Sequence, residues 1–289
     1  MSFALFTDGC SNLPGAVLKE LEIRVLPCTY TLDGTPVVYS GDIETFDAHG
    51  YYDRLRSGSQ VRTTLLNTET FLSHFRPVLR QGLDVVYVGL SSGISGTIQA
   101  ATIAAEDLKE EFPDRTVRIV DSMGAGLGSG LLACRAADLR KEGKTASEAG
   151  EILDRERRNL CEYFTVDDLK FLRGTGRISA ATAALGSVLN IKPILRGDET
   201  GHITACHKAR GRKKAVDYLV QRYAEKAVRP GESRVAISHG DCPEEAQALA
   251  ERLIAIAKPG ELIFCPHEPF TGAHVGPGML AVFFFGDGR

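Results

Sequence analysis

The chain has 289 residues and a formal net charge of −3, with 34 Lys and Arg against 37 Asp and Glu. Apolar residues make up 43% and charged residues 25%, a composition that excludes an intrinsically disordered chain. The balanced charge and a pI of about 6.2 exclude a general nucleic-acid-binding surface.

Membrane and secretion signals are weak throughout the chain. The longest apolar run, Met279–Phe285, is too short to cross a bilayer. The segment Met1–Gly9 lacks the basic region of a signal peptide, so we expect a cytoplasmic protein without membrane insertion. Seven cysteines without a C-x-x-C pair predict reduced thiols. Cys265, His267 and His274 could suggest a metal, but their spacing matches no standard site, so we expect none.

The pattern of the first half alternates between strands and helices. Its predicted elements are strand Phe3–Phe6, a helix capped by Asn12, strand Arg24–Thr29, a hairpin at Tyr30–Tyr39, helices Phe46–Leu55 and Glu69–Arg80, strand Asp84–Leu90, a helix ending near Glu110, strand Val117–Val120, and helices Gly124–Lys141 and Ala146–Asn159. This βαβ rhythm predicts a mostly parallel sheet with flanking helices.

The pattern then restarts and predicts a second α/β domain. Its elements are strands Glu162–Thr165 and Ile191–Leu195, a hairpin strand His202–Ala209, helix Arg212–Glu225, strand Arg234–Ser238, helix Pro243–Ile256, and strands Glu261–Cys265 and Met279–Phe285. We therefore expect a two-lobed α/β protein divided into residues 1–159 and 160–289.

The segment Ser91–Thr97 gives the strongest local functional signal, because it follows a buried strand and opens a helix. Unpaired N–H groups and hydroxyls at such a helix start can bind an anion, although an ordinary helix cap fits equally well. No Gly-Lys-Ser/Thr follows, which excludes a Walker A motif. Thr97 stands where a nucleophile elbow needs glycine.

Three other polar segments are candidates for chemistry. Thr63 and Thr64 form a hydroxyl pair at a predicted helix entrance, where they can bind a ligand or cap the helix. Asp8 follows the first strand and suits either capping or acid–base chemistry. Phe270–Gly278 is too rich in glycine for a core element, so its His274 can donate to an anion, transfer a proton or serve structure.

Two basic segments lie in the second half. The segment Arg173–Arg177 does not match the dinucleotide-binding pattern, and it suits either docking of an acidic surface or a solvated turn. A second cluster, Lys208–Lys214, includes Arg210 and is typical of a solvent-facing helix start.

Taken together, these segments resemble the DegV family of bacterial fatty acid-binding proteins. The resemblance covers nearly the whole chain. It is carried in order by Thr7-Asp8 with Leu13-Pro14, Pro27 with Asp33-Gly34, Arg62-Thr63-Thr64, Ser91–Thr97, Phe164–Leu169 with Leu172–Ile178, Lys192-Pro193-Ile194 and His274–Gly278.

The resemblance implies that one long-chain fatty acid lies in a buried tunnel between the lobes. By motif position, its carboxylate meets Thr63 and Ser95 with His274 nearby, and a supporting loop is formed by Thr64, Ser92 and Gly96.

The family also includes the acyl-carrying subunit of bacterial fatty acid kinase. A separate kinase subunit there uses ATP to phosphorylate the bound carboxylate, so the carrier is no enzyme and needs no cofactor or metal. The resemblance then implies that Arg173, Arg177 and Arg210 face the kinase.

Three departures from the family pattern concern the loops. Gly9 replaces a serine, Asn12 replaces an aspartate, and Leu65-Leu66-Asn67 replaces x-P-S after the threonines. We expect these changes to affect loop shape and acyl-chain selectivity more than the lipid site itself. The alternative function is an enzyme acting on a small phosphorylated or carboxylated metabolite at the same loops, with Asp8 or His274 as acid or base.

Overall fold

The computed structural model describes residues 3–178 and 190–289. These residues form thirteen strands in three sheets, together with ten α-helices. Among the helices of the described segments, none has an apolar stretch long enough to cross a lipid bilayer.

The first lobe contains the predicted parallel sheet, in the order β2-β1-β6-β7. Its strands are β1 (Phe3–Asp8), β2 (Ile23–Leu26), β6 (Asp84–Gly89) and β7 (Val117–Asp121). Its helices are α1 (Gly15–Glu20), α3 (Thr68–Arg80), α4 (Thr97–Glu111), α5 (Leu127–Lys141) and α6 (Ala146–Glu156). All of β1 and nearly all of β6 are buried, as strands covered by helices on both faces must be.

A small antiparallel sheet, in the order β4-β3-β5, extends the first lobe. Its strands are β3 (Cys28–Leu32), β4 (Thr35–Tyr39) and β5 (Val61–Thr64), and α2 (Ala48–Arg56) packs on it through aromatic side chains. The hairpin between β3 and β4 was predicted from Asp33-Gly34. Their φ values of 52° and 83° are those of a tight type I′ turn.

The second lobe is built on a mixed six-stranded sheet in the order β10-β9-β8-β13-β11-β12. Its strands are β8 (Leu160–Thr165), β9 (Ile191–Gly197), β10 (Ile203–Arg210), β11 (Arg234–His239), β12 (Glu261–Pro266) and β13 (Leu280–Phe285). Its helices are α7 (Lys170–Thr175), α8 (Arg212–Lys226), α9 (Pro243–Ile256) and α10 (Pro269–Val275). The predicted two-lobed α/β fold is therefore confirmed.

Helix α5 joins the two lobes because it packs against strands of both large sheets. Its sequence is rich in small residues, and Gly130, Ala133 and Ala136 are buried. A Cβ at Gly130 would collide with the backbone oxygen of Ser11, so only glycine permits this close approach. Most of the helix is buried, and its partly exposed side carries Arg135 and Asp138.

The prediction that Asn12 caps a helix is wrong. Asn12 has a left-handed φ of 58°, and α1 begins only at Gly15. The Asn12 side chain instead donates a hydrogen bond to the Pro266 carbonyl oxygen, 3.1 Å away in the second lobe. A long-range contact has replaced the local cap that the sequence suggested.

Candidate functional site

A cavity of about 430 Å³ lies between the first lobe and the six-stranded sheet. Its volume is within the range of about 300–1,000 Å³ that is usual for small-molecule sites. The wall is largely apolar and includes Leu90, Phe164, Leu172, Phe270, Met279 and Phe283. Polar side chains are a minority of the wall, so the cavity suits a mostly hydrocarbon ligand.

Thr63 reaches the cavity from β5, where a helix entrance was predicted. The segment does precede a helix, α3, which Asn67 caps, but residues 61–64 pair with β3 as a strand and the two threonines do not cap the helix. Side chains alternate along a strand, so Thr63 lines the cavity whereas Thr64 is exposed and does not. The two threonines therefore differ in environment although they are neighbours.

His274 lies on α10, in a segment that was predicted to be too rich in glycine for a core element. This prediction is wrong: Pro269 opens a short buried helix, Glu268 caps it, and Gly276 ends it with a φ of 77°. The His274 Nε2 and Thr63 Oγ1 atoms are 3.0 Å apart.

The second ring nitrogen of His274, Nδ1, is buried without a hydrogen-bond partner in the described part of the chain. Burial first, and then the positive charge of Arg177, lower the pKa of His274 to about 4. The imidazole is therefore neutral at neutral pH, with one nitrogen that donates and one that accepts.

The serine loop, Ser91–Gly96, forms the next part of the cavity wall. Ser95 Oγ lies 3.0 Å from Thr97 Oγ1 and accepts a hydrogen bond from the Thr97 N–H at the start of α4. Ser92 also borders the cavity, but its hydroxyl donates to Asp121 at 2.5 Å. Ser91 is buried and donates to the Gly201 carbonyl oxygen at 2.8 Å, which closes the two lobes against each other.

The structure thus brings together most of the predicted site residues. Thr63, Ser95 and His274 line the same cavity, as do the supporting residues Ser92 and Gly96. Among the predicted docking residues, Arg177 also lines the cavity, whereas Arg173 on α7 and Arg210 on the edge strand β10 are exposed outside it.

Asp8 lies outside the cavity wall and has a structural environment. Its carboxylate accepts hydrogen bonds from Tyr87 Oη at 2.5 Å and from the backbone N–H groups of Cys10 and Leu90. Burial raises the pKa of Asp8. These contacts fix the end of β1 and leave Asp8 no access to a ligand in the cavity.

Sequence reasoning did not assign three polar residues of the wall to the ligand site, namely Glu162, His267 and Thr271. Glu162 is only 8% exposed; it accepts hydrogen bonds from Ala125 N at 2.9 Å and from Arg289 Nη2 at 3.1 Å. Burial raises the pKa of Glu162 to about 7 despite the nearby Arg289. The one sequence signal that could have pointed to Glu162 is the presence of a glutamate within an otherwise apolar strand.

Known proteins match this chain over nearly its whole length. The model of the DegV family, described as uncharacterised, matches residues 2–287. A DegV domain-containing protein of Clostridium perfringens is 37% identical over 285 residues, which cover 99% of this chain and 98% of the relative.

Solved structures of DegV family proteins share this fold. A Thermus thermophilus structure described by fatty acid binding of a DegV family protein has a TM-score of 0.87 at 30% identity, covering 99% of this chain and all of that one. The structure of DegV, a fatty acid binding protein from Bacillus subtilis, has a TM-score of 0.81 at 28% identity and covers 98% of both chains.

Proposed function

The chain belongs to the DegV family, and on that premise we propose that it binds one long-chain fatty acid in the cavity between its lobes. The observation that carries this proposal is the apolar cavity whose wall contains Thr63, Ser95 and His274. Relatives of the same fold are described as fatty acid-binding proteins.

The polar groups suit a carboxyl group that has lost its water. A buried carboxylate needs charge-assisted hydrogen bonds, and Ser95 at the start of α4 offers a hydroxyl beside a helix N-terminus. If His274 donates from Nε2 to Thr63, the threonine proton is free for the ligand. If Thr63 donates to His274, the Nδ1–H is free instead. Either tautomer leaves one donor for a ligand oxygen.

The apolar wall suits the acyl chain. Burial of each methylene contributes about 0.8 kcal/mol, so a chain of some fourteen methylenes gains roughly 11 kcal/mol before the costs of ordering it. The positive charge of Arg177, which lines the same cavity, adds to the attraction for an anionic head group.

We further propose that this chain is a carrier and not an enzyme. It would present the carboxylate to a separate ATP-dependent fatty acid kinase, which forms the acyl phosphate in the cytoplasm. Arg173 and Arg210 are exposed outside the cavity and suit contact with an acidic kinase surface. Residues 1–159 and 160–289 would be the two domains, and the ligand would contact both.

The alternative, an enzyme acting on a small phosphorylated or carboxylated metabolite, is less well supported. Its acid or base would be Asp8 or His274. Asp8 lies outside the cavity with three hydrogen bonds, so only His274 is left, and the wall around it is mostly apolar.

The direct test is to denature the purified protein and search for released fatty acid by mass spectrometry. The delipidated protein is then melted with palmitate or oleate, with methyl palmitate as a control that keeps the chain and removes the acid. We expect co-purified fatty acid and stabilisation by the free acids above that by the ester. A lipid-free protein that neither acid stabilises contradicts the proposal.

A further inference from the structure

The cavity extends well beyond the groups assigned to the carboxylate. Glu162 lies three residues before the end of β8, about 10 Å from Thr165 at roughly 3.3 Å per residue. The chain then leads from Thr165 to α7 and Arg177, so along β8 Glu162 lies away from the segment that reaches Arg177. Its cross-strand partner on β13 is Phe283, which also lines the cavity.

The position of His267 relative to α10 leads to the same conclusion independently. His267 lies two residues before α10 and His274 lies in its last turn, and the five helical steps from Pro269 to His274 alone span about 7.5 Å at 1.5 Å per residue. A Cβ at Gly126 would lie 2.7 Å from the His267 ring, and one at Gly124 would lie 2.5 Å from Glu162 Oε1. Glu162 and His267 therefore both border the turn that precedes α5, at what we call the distal end of the cavity.

The hydrogen bonds of His267 are complete within the protein. Its Nδ1 lies 2.9 Å from Ser238 Oγ and its Nε2 lies 2.8 Å from Thr271 Oγ1, while the Thr271 hydroxyl also contacts the Glu268 carboxylate. Burial lowers the pKa of His267 to about 3, so the ring is neutral. These contacts give both ring nitrogens a hydrogen-bond partner, so neither nitrogen needs a ligand to complete its hydrogen bonding.

Glu162 differs, because its acceptor capacity exceeds the donors around it. A carboxylate has about four lone-pair sites. In residues 3–178 and 190–289, hydrogen bonds to it come from the Ala125 N–H on Oε1 and from Arg289 on Oε2. An unbranched hydrocarbon chain against this wall would keep the remaining acceptor sites away from water without supplying a donor.

We infer that the distal end of the cavity recognises a hydrogen-bond donor on the acyl chain, so that the preferred ligands are hydroxylated long-chain fatty acids whose hydroxyl reaches Glu162. This inference rests on the proposed fatty acid site and narrows its ligand class. Glu162 determines specificity and has no role in binding the carboxylate. A hydroxyl that donates to a carboxylate makes a charge-assisted bond, whereas the same hydroxyl against a purely apolar wall would be penalised.

The test compares affinities of the delipidated protein for matched ligands. Stearic acid is measured beside a mid-chain hydroxystearic acid and its methoxy analogue, and palmitic acid beside ω-hydroxypalmitic acid. We expect at least one hydroxy acid to bind roughly tenfold tighter than its unsubstituted counterpart, as one hydrogen bond to a charged group allows. The methoxy analogue keeps the oxygen without the donor and should lose this advantage.

Variants locate the effect. Glu162→Gln should reduce the preference for the hydroxy acid several-fold. The control Glu156→Gln removes a carboxylate of α6 that lies outside the cavity, and it should keep the preference. The ligand comparison in the unaltered protein decides the question even if Glu162→Gln folds poorly. Equal or weaker binding of every hydroxy acid overturns the inference while leaving fatty acid binding intact. Failure to bind any of the acids overturns the proposed function as well.

Discussion

Replacement of Thr63 by valine tests the carboxylate site with little disturbance of the fold. Valine matches threonine in shape and suits β5, where residue 63 pairs with Tyr30. The change removes the hydroxyl that lies 3.0 Å from His274 Nε2. A hydrogen bond to a charged group contributes about 1.5–3 kcal/mol, so fatty acid affinity should fall roughly 10- to 100-fold.

The matched control is Thr64→Val, because Thr64 is the next residue of the same strand but is exposed outside the cavity. Affinity is measured by titration calorimetry with the delipidated proteins, and melting temperatures report on folding. Ser95→Ala should weaken binding to a similar extent. The assignment is wrong if Thr63→Val and Ser95→Ala both bind palmitate within about twofold of the unaltered protein.

Three further predictions follow from charged groups near the cavity. Arg173→Glu should keep fatty acid affinity and lower acyl phosphate formation by the partner kinase. Arg177→Glu should lower acyl phosphate formation and also weaken lipid binding, because Arg177 lines the cavity. Unchanged kinase turnover in both variants would exclude the docking role. Arg289→Met removes the partner of Glu162 and a donor 2.6 Å from the Met123 carbonyl oxygen. Breaking such a buried pair costs about 3–5 kcal/mol and should lower the melting temperature by roughly 10 °C, while Glu162→Gln in the same chain should restore part of it. The pKa of Glu162 in the folded protein is raised from 4.5 to about 7, so its stabilising contribution is complete below pH 4.5 and is lost as pH rises through about 7. The stability of Glu162→Gln relative to the unaltered protein should therefore increase between pH 4.5 and 7, by at most about 3 kcal/mol, and a pH-independent difference in unfolding free energy would contradict the shifted pKa.

The regular elements were predictable because their patterns are local. The valine-rich strand at Asp84–Gly89 and the Asp33-Gly34 hairpin carry signals that need no information from distant residues. The parallel sheet follows from the spacing of such strands. The motif resemblance likewise pointed to Thr63, Ser95 and His274, and these three residues line one cavity.

The errors arose where distant contacts decide the local structure. Thr63 lies in a strand because β3 pairs with it, and α10 forms in a glycine-rich segment because Glu268 caps it and the surrounding core buries it. The Asn12 side chain does not cap the expected helix but donates a hydrogen bond to a carbonyl group 254 residues away. Glu162 was overlooked because its importance depends on what surrounds it, and no pattern along β8 reveals Arg289 or the cavity.

The shared wall of the cavity has an evolutionary consequence. Thr63 and Ser95 belong to the first lobe, whereas Glu162 and Phe283 belong to the sheet of the second. Substitutions at sites that share no partners usually act additively. Recognition of the head group and preference for the tail can therefore drift separately, so that paralogues can diversify in the chains they carry while keeping the same reactive end.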